Sequence, residues 1–365
     1  MSRRRLNNEG SIFFEQSDQL WVADISLPNG KRKRKRSKKK QVVKEWLNAQ
    51  RKAIAEGLIV EDEKIILETF LDRYLKDVCA HSLKPKTIDS YQTMIEIHIK
   101  PEIGHIRLVN LRPDHLQALY SKKLEAGLSK RTVQYIHAII RRALNVALKW
   151  GLIYRNPANA ATAPVPQKKA PNTLTEAQAM KFLETVEYHR WYPIYVLAIT
   201  TGMREGEILG LRWEDVNLDF GVLSIKQVIY QLRGRTFIGE PKTDKARRTL
   251  ALPEIAKEIL DKLKESQNNT EGLIFTTASG KPISPRNLLR HFHRSLEMAE
   301  IARIRFHDLR HTCATLLLTR KVHPKIVQEM LGHSTITMTL DTYSHILPDL
   351  QGEAARAMDD IFADK

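Results

Sequence analysis

The sequence predicts a multidomain, mainly α protein: a small N-terminal β-sheet plus helix domain, an all-α domain, and an α+β domain that is helical with a small antiparallel sheet. Three observations lead there. The 365 residues exceed one ordinary core and suit two or three domains. Apolar residues recur at helical spacing over most of the chain beyond about residue 62. Short β-type runs bounded by turn residues occur in only two places, near the N-terminus and between 221 and 252.

In chain order, Ile12 to Phe14 and Leu20 to Leu27 are β-type runs, Pro28-Asn29-Gly30 is a turn, and a third strand has room to follow. Val42, Val43, Trp46, Leu47, Ala53 and Ile54 then keep helical spacing up to Gly57, so residues 1–60 read as one small domain. Residues 62–160 are helical in period. Ile65, Phe70, Leu71 and Tyr74 begin one helix, and Ile88, Tyr91, Ile95 and Ile99 line a second between Thr87 and Ile99. "PDHLQALYSKKLEAG" is a third, with proline near its start and Gly127 at its end. The longest stripe is Val133, Ile136, Ile140, Ala143, Leu144, Ala147 and Leu148, stopped by Gly151. "NPANAATAPVPQKKAPNT" (156–173) has no stripe and reads as exposed linker, with the linker proper at 161–173. Helices return over 174–365, interrupted by the strand-like runs "GVLSIKQVIY", "RTFIGE" and "RRTLAL", which Arg233-Gly234 and the polar turn "PKTDKA" join.

Charge narrows the function classes. Lys and Arg number 59 against 42 Asp and Glu, a formal +17, which points to polyanionic partners and to nucleic acid first. Residues 1–60 hold 15 basic and 6 acidic side chains, and nine of the ten from 31 to 40 are basic. Such a run is either a solvated, disordered tract or a basic hairpin laid on duplex DNA, where a two-stranded ribbon fits the major groove. The flanking strand and turn signals favour the hairpin. Cys79 and Cys313 make neither a zinc spacing nor a disulfide framework, in keeping with a reducing compartment. No apolar run reaches the roughly 18 residues that cross a bilayer, so the expectation is a soluble, cytoplasmic protein with no membrane partner.

"HDLRHT" carries the first chemical signal. Phe306, Leu309, Cys313, Leu316 and Leu317 form an apolar helical stripe, which puts His307, Arg310 and His311 together on another face. As a zinc site the pattern lacks the glutamate base of HExxH, and a fixed cation sits between the histidines. A guanidinium fork suits phosphate oxygens instead. An HxxR pair alone is weak, expected about once by chance in a chain this long. "TTGMREGEILGLRWEDV" adds Arg204 at a helix start, where side-chain fork and first-turn N–H groups combine, with Glu207 one turn on as the structural partner. In "HPKIVQEMLGHSTITMTLDTYSH", Pro324 opens a helix whose buried face is Ile326, Val327, Met330 and Leu331, and Gly332 ends it. His333 follows that stop, and Ile336, Leu340 and Tyr343 share a stripe of the next helix, where an aromatic is usually core.

Arg204 in TGMREGE, Lys242 in PKTDKARRTL, His307 and Arg310 in HDLRHT, His333 in LGHS and Tyr343 in DTYSH stand, in order, across about 140 residues. This constellation resembles the signature of tyrosine recombinases of the phage integrase family, such as the integrases of temperate phages and integrative elements. The resemblance covers the chain: residues 1–60 are similar to the family's arm-type DNA-binding domain, and 62–160, with "GLSKRTVQYIHAIIRRALNVALKWGLIYRNPA", to its core-binding domain.

The resemblance implies that Tyr343 attacks a backbone phosphorus, leaving a 3′-phosphotyrosyl bond and a free 5′-hydroxyl, with no metal, no ATP and no other cofactor. Arg204 and Arg310 would brace the phosphoryl oxygens, Lys242 rather than Lys245 would protonate the leaving oxygen, His307 would assist proton transfer, and His333 would donate to the phosphate. His311 inherits no role. The candidate DNA contacts are Lys31, Arg32, Lys33, Arg34, Lys35 and Arg36 in the basic run, with Lys86, Lys130 and Arg131 in the helical part. Implied partners are double-stranded attachment-site DNA, further copies of the chain in a tetramer, and accessory DNA-bending or directionality factors. The C-terminal amphipathic stretch "LQGEAARAMDDIFADK" fits docking on a neighbouring copy and packing on its own domain equally. Two competing classes are an architectural DNA-binding protein that lost its chemistry, and a metal-dependent nuclease built on His307 and His311. The complete constellation weighs against the first, and the lack of an acidic cluster against the second.

Overall fold

A computed structural model describes residues 10–26, 32–55, 64–167, 171–241, 246–267, 271–343 and 350–363. The chain forms two compact units, residues 1–168 and 169–365, and the first holds two separate cores.

The first core belongs to a three-stranded antiparallel meander, β1 (Ser11–Glu15), β2 (Leu20–Ser26) and β3 (Arg32–Ser37), carrying α1 (Lys40–Ala55). Ala23 and Ile25 of the middle strand bury against Val43 and Leu47 of the helix. Gly10 enters with φ +64, and a Cβ there would stand 2.7 Å from Leu47 Cδ1, which admits only glycine. The basic run is therefore a strand over 32–37, not a disordered tract. Cross-strand pairing explains part of that order: Arg34 lies opposite Asp24 and bonds it at 3.0 Å, while Arg36 reaches Glu15 at 3.2 Å. The turn expected at Pro28-Asn29-Gly30 and the stop at Gly57 lie outside the described residues.

The second core is all helical: α2 (67–82), α3 (85–103), α4 (Pro113–Glu125) and α5 (Lys130–Lys149), the first two each containing one π-helical turn, Leu75–Cys79 and Ile95–Ile99. Ser129 caps α5 by accepting from Thr132 N at 3.1 Å. Val133, Ile136, Ile140, Ala143, Leu144 and Ala147 are buried as the stripe requires, but Leu148 is 39% exposed because the packed face has drifted past it. The exposed-linker reading starts too early. Asn156, Pro157 and Ala158 are buried, since Asn156 Nδ2 donates to Arg141 O at 2.9 Å and Asn145 Oδ1 at 2.7 Å and docks the segment on α5.

In the second unit α6 (Glu176–Thr185), α7 (Tyr192–Thr201), α8 (Glu205–Leu209), α9 (Glu254–Ser266), α10 (Pro285–Met298) and α11 (Phe306–Thr319) surround one large core. α7 is buried from Pro193 to Ile199, so its run of apolar residues needs no polar face. The expected single sheet is two. β4 (Val216–Asn217), β5 (Val222–Ser224) and β8 (Thr249–Ala251) form one, and β6 (Val228–Leu232) pairs with β7 (Arg235–Gly239) in a separate hairpin. "GVLSIKQVIY" breaks at Ile225–Gln227 because Gln227 Nε2 donates to Gly210 O at 2.9 Å, drawing the chain onto α8. Three helices follow: α12 (Pro324–Leu331), α13 (Ile336–Tyr343) and α14 (Leu350–Ala363).

Candidate active site

The site is assembled where α7, α8, α11 and α12 meet. Gly202 ends α7 in the left-handed region, φ +63, and a Cβ on it would stand 2.5 Å from Leu331 Cδ2. Its carbonyl accepts from Arg310 Nη1 at 2.8 Å, while Arg310 Nη2 donates to Leu331 O. Arg310 is 2% exposed. The two-faced reading of its helix is thus wrong in one respect: α11 also buries Asp308, Thr312 and Ala314, its open face runs through His307, His311, Thr315 and Thr319, and Arg310 points inward as a strut between two helix C-termini, whose carbonyls favour a cation. Leu316 and Leu317 are only half-buried.

Arg204 is the N-cap residue of α8. Its backbone N donates to Glu207 Oε2 at 3.0 Å and its Nη1 to Glu207 Oε1 at 2.6 Å, with 39% of the side chain exposed. Glu207 is 2% exposed and is gripped from the other side by Arg248, whose Nη2 donates to Oε2 at 3.0 Å. Desolvation raises the Glu207 carboxyl, but Arg248 and then Arg204 outweigh it and hold it below the usual carboxylate range.

The His307 and His311 rings meet edge to face, centroids 5.2 Å apart. His307 keeps surface open to solvent, yet desolvation comes first among the causes that push its imidazole down to about 4, followed by His311, Arg310 and Arg204. His311 is also lowered, by burial first, with Asp308 opposing. His333 follows the left-handed cap Gly332, φ +65. Gln328 Nε2 donates to its carbonyl at 2.7 Å, its N donates to Gln328 O at 3.1 Å, and its Nδ1 lies 2.9 Å from Thr339 Oγ1. Burial, then Arg310 and Arg204, hold the His333 ring at about 4. Two fixed guanidinium groups and two histidines kept neutral near pH 7 make a region that welcomes an anion and can accept or relay a proton.

Of the expected catalytic residues, Arg204, His307, Arg310 and His333 come together here. Lys242 lies outside the described residues. Tyr343 is the last residue of α13, one turn beyond Thr339, and only its backbone is described. The stripe expected on α13 is not the buried one, since Ile336 is 37% exposed while Thr339 is fully buried; on α12, Ile326 is 58% exposed where Val327 is buried. Sequence reasoning missed Arg248, Gln328 and Thr339. Arg248 looked like any strand arginine, and the other two are polar side chains whose partners become visible only with the turn at His333.

Among the candidate DNA contacts, Lys31 lies outside the described residues. Arg32, Arg34, Lys35 and Arg36 are exposed on β3 and Lys33 is half-buried. Lys86, Lys130 and Arg131 are exposed in the first turns of α3 and α5. Arg131 also borders a surface groove of about 700 Å³ with Gln134, His137, Arg141 and Arg142, two further arginines that the sequence did not single out. Among the described residues no helix is long and apolar enough to cross a membrane.

Residues 172–349 match the Phage integrase family, and residues 66–124 match the N-terminal SAM-like domain of phage integrase. A tyrosine recombinase XerC-like protein of Caldanaerobacter subterraneus subsp. tengcongensis is 28% identical over 365 residues, covering 91% of this chain and 91% of its own. An integrase of Streptomyces ambofaciens is 28% identical over 99% of this chain and 98% of its own length. Among solved structures, the Tn1549 transposon integrase in complex with transposon right end DNA aligns with TM-score 0.70 at 21% identity, over 82% of this chain and 99% of that one. A lambda integrase tetramer bound to a Holliday junction aligns with TM-score 0.62 at 20% identity, over 95% and 97%.

Proposed function

The chain belongs to the phage integrase family of tyrosine recombinases, and from that premise we propose that it cuts and rejoins DNA at specific sites through a 3′-phosphotyrosyl intermediate on Tyr343. The observation that supports this most is the pairing of two arginines from different helices, Arg204 and Arg310, around histidines whose pKa values both arginines depress. That field matches a phosphodiester passing through a transition state with added charge on its non-bridging oxygens.

In the reaction Tyr343 Oη forms a bond to phosphorus as the bond to the 5′-oxygen breaks. The Tyr343 phenol must lose its proton, and His307 is the acceptor once a bound phosphate anion lifts its depressed imidazole; the departing alkoxide takes a proton from Lys242. His333, with Nδ1 engaged by Thr339, presents its other ring nitrogen as donor to the phosphate. Return of a 5′-hydroxyl, from the same or a second duplex, reverses each transfer. One phosphoester is exchanged for another, so neither ATP nor a metal is needed.

Residues 1–60 then bind outer arm sites, 62–160 grip the core site, 161–173 link them to the catalytic residues 174–365, and two attachments raise the effective concentration of the catalytic part at the crossover. The exposed cations of β3 and the groove at Arg131 are the surfaces for this. By analogy with the lambda integrase tetramer on a Holliday junction, four copies act on two duplexes in the cytoplasm, with accessory DNA-bending or directionality factors setting direction, to integrate or excise a phage genome or other mobile element.

The test is capture of a denaturant-resistant protein–DNA adduct on duplex taken from either side of the gene, in excess chelator, with wild type beside Tyr343→Phe. An adduct in the wild type alone is the expected result. Binding without an adduct in either protein would favour an architectural role. Cleavage that survives Tyr343→Phe and stops with chelator would move the chemistry to His307 and His311.

A further inference from the structure

Arg248 is a buried cation that the mechanism above leaves without a task. It precedes β8, and only 8% of its side chain is exposed. Acceptors surround its fork: Nε donates to Met330 O at 2.7 Å, Nη1 to Ala246 O and Glu207 Oε1 at 3.3 Å each, and Nη2 to Glu207 Oε2 at 3.0 Å. Unlike Arg310, whose Nη atoms meet neutral carbonyls, Arg248 has its charge matched by a buried carboxylate, so it has little left to offer an incoming phosphate.

Its neighbour shows what it does instead. Glu207, 2% exposed, stands between Arg248 and Arg204. A carboxylate desolvated to that degree needs a cation, and among the described residues Arg204 is the second one bonded to it. Arg204 is also the arginine that the chemistry requires to face the phosphate. With Arg248 holding both carboxylate oxygens, Arg204 is tethered by a single side-chain bond, Nη1 to Oε1 at 2.6 Å, and the rest of its fork stays outside that pair.

We propose that Arg248 is a positioning residue for strand cleavage: by occupying both oxygens of Glu207 it keeps the Arg204 guanidinium turned toward the scissile phosphate. Through Met330 O it also ties this ion pair to α12, two residues before the cap that places His333. The proposal rests on the recombinase reading of the site. If Arg248 is removed, both oxygens of Glu207 turn to Arg204, and the resulting two-bond pair competes directly with phosphate. If the charge on Glu207 is removed as well, that competition ends, and a glutamine oxygen can still cap α8 by accepting from Arg204 N. Because contacting residues couple in stability as well, a role in folding alone would move melting temperature and rate together, and it predicts no recovery of rate among variants that are all fully folded.

The experiment compares wild type, Arg248→Met, Glu207→Gln and the double variant, using the flanking-DNA duplex as probe. It measures the single-turnover rate of adduct formation, with thermal melting to establish folding and Tyr343→Phe as the chemical control. Arg248→Met is expected to slow adduct formation at least tenfold and the double variant to recover most of that loss, with every rate read well below the lowest melting temperature so that recovery does not come from refolding. A double variant as slow as Arg248→Met, or an Arg248→Met protein as fast as wild type, overturns the positioning role while leaving the recombinase reading intact. Absence of an adduct even in the wild type removes the recombinase reading itself, and this proposal with it.

Discussion

His333 Nδ1 and Thr339 Oγ1 lie 2.9 Å apart, bridging the turn that leads from α12 into α13, and Thr339 is fully buried. For His333 to donate from Nε2, its neutral ring must accept at Nδ1, so the threonine hydroxyl is the donor and selects the tautomer. Thr339→Val is predicted to lower the rate of adduct formation by about three- to tenfold, the worth of one hydrogen bond of roughly 1 kcal/mol. Thr339→Ser should retain most of it. Equal rates for the threonine and valine proteins would show that the hydroxyl does not set the ring.

Arg310 is predicted to be irreplaceable by lysine. Its two Nη atoms satisfy the carbonyls of Gly202 and Leu331 together, and an ammonium on a flexible stem does not reproduce that fork. Arg310→Lys should cost on the order of 2–3 kcal/mol of stability from imperfectly paired buried groups and about a hundredfold or more in adduct formation. Calorimetry and single-turnover rates measure the two separately. A lysine protein within threefold of wild type in rate would remove Arg310 from the phosphate clamp.

Much of this was legible beforehand, and the reasons differ by element. The buried stripe of α5 could be read because seven residues repeat a single period, and the wrong member, Leu148, is the terminal one, where the packed face ends. His307 and Arg310 could be singled out only together with Arg204, His333 and Tyr343 in order along the chain, because an HxxR spacing alone is common. Arg248 could not, since its partner Glu207 is 41 residues away and the adjacent Arg247 has the same local appearance. The break in "GVLSIKQVIY" was hidden for the same reason: Gln227 leaves the strand for Gly210, a contact 17 residues back. Arg310 facing inward was hidden by its charge, because a buried cation is expected only after its acceptors are known.

The histidines predict an acid-sensitive fold. His291, stacked on His189 with ring centroids 3.7 Å apart, is held at about 4 by burial and then by His189 and Arg294, as are His307 and His333 by their own surroundings. Unfolded histidine titrates near 6.5, so the unfolded chain binds protons first. The stability these groups contribute is complete above about pH 6.5 and is lost as pH falls toward 4. Glu207 and Asp308, whose folded values are depressed, add a second loss as pH drops below the unfolded carboxylate range. The melting temperature should be level from pH 8 to 7 and decline steadily below 6.5; a flat profile down to pH 5 would contradict these assignments.

The basic strand yields the last prediction, on non-specific duplex, where no attachment site is needed. Arg32 and Lys35 are exposed on β3, whereas Arg34 is bonded to Asp24 at 3.0 Å and Arg36 reaches Glu15 at 3.2 Å and Asp18 at 3.7 Å. A cation that releases a counterion from DNA contributes about one unit to the slope of log affinity against log salt. One already facing a carboxylate must first give up that pairing, and on a surface this costs only a few tenths of a kcal/mol. Arg32→Ala with Lys35→Ala should therefore flatten the slope by close to two units and weaken binding at every salt concentration. Asp24→Asn should steepen it slightly by releasing Arg34. Fluorescence anisotropy titrations across a range of potassium chloride measure both. If the double alanine protein keeps the wild-type slope, the strand does not lie on the duplex, and the contacts belong to the groove at Arg131, Arg141 and Arg142 instead.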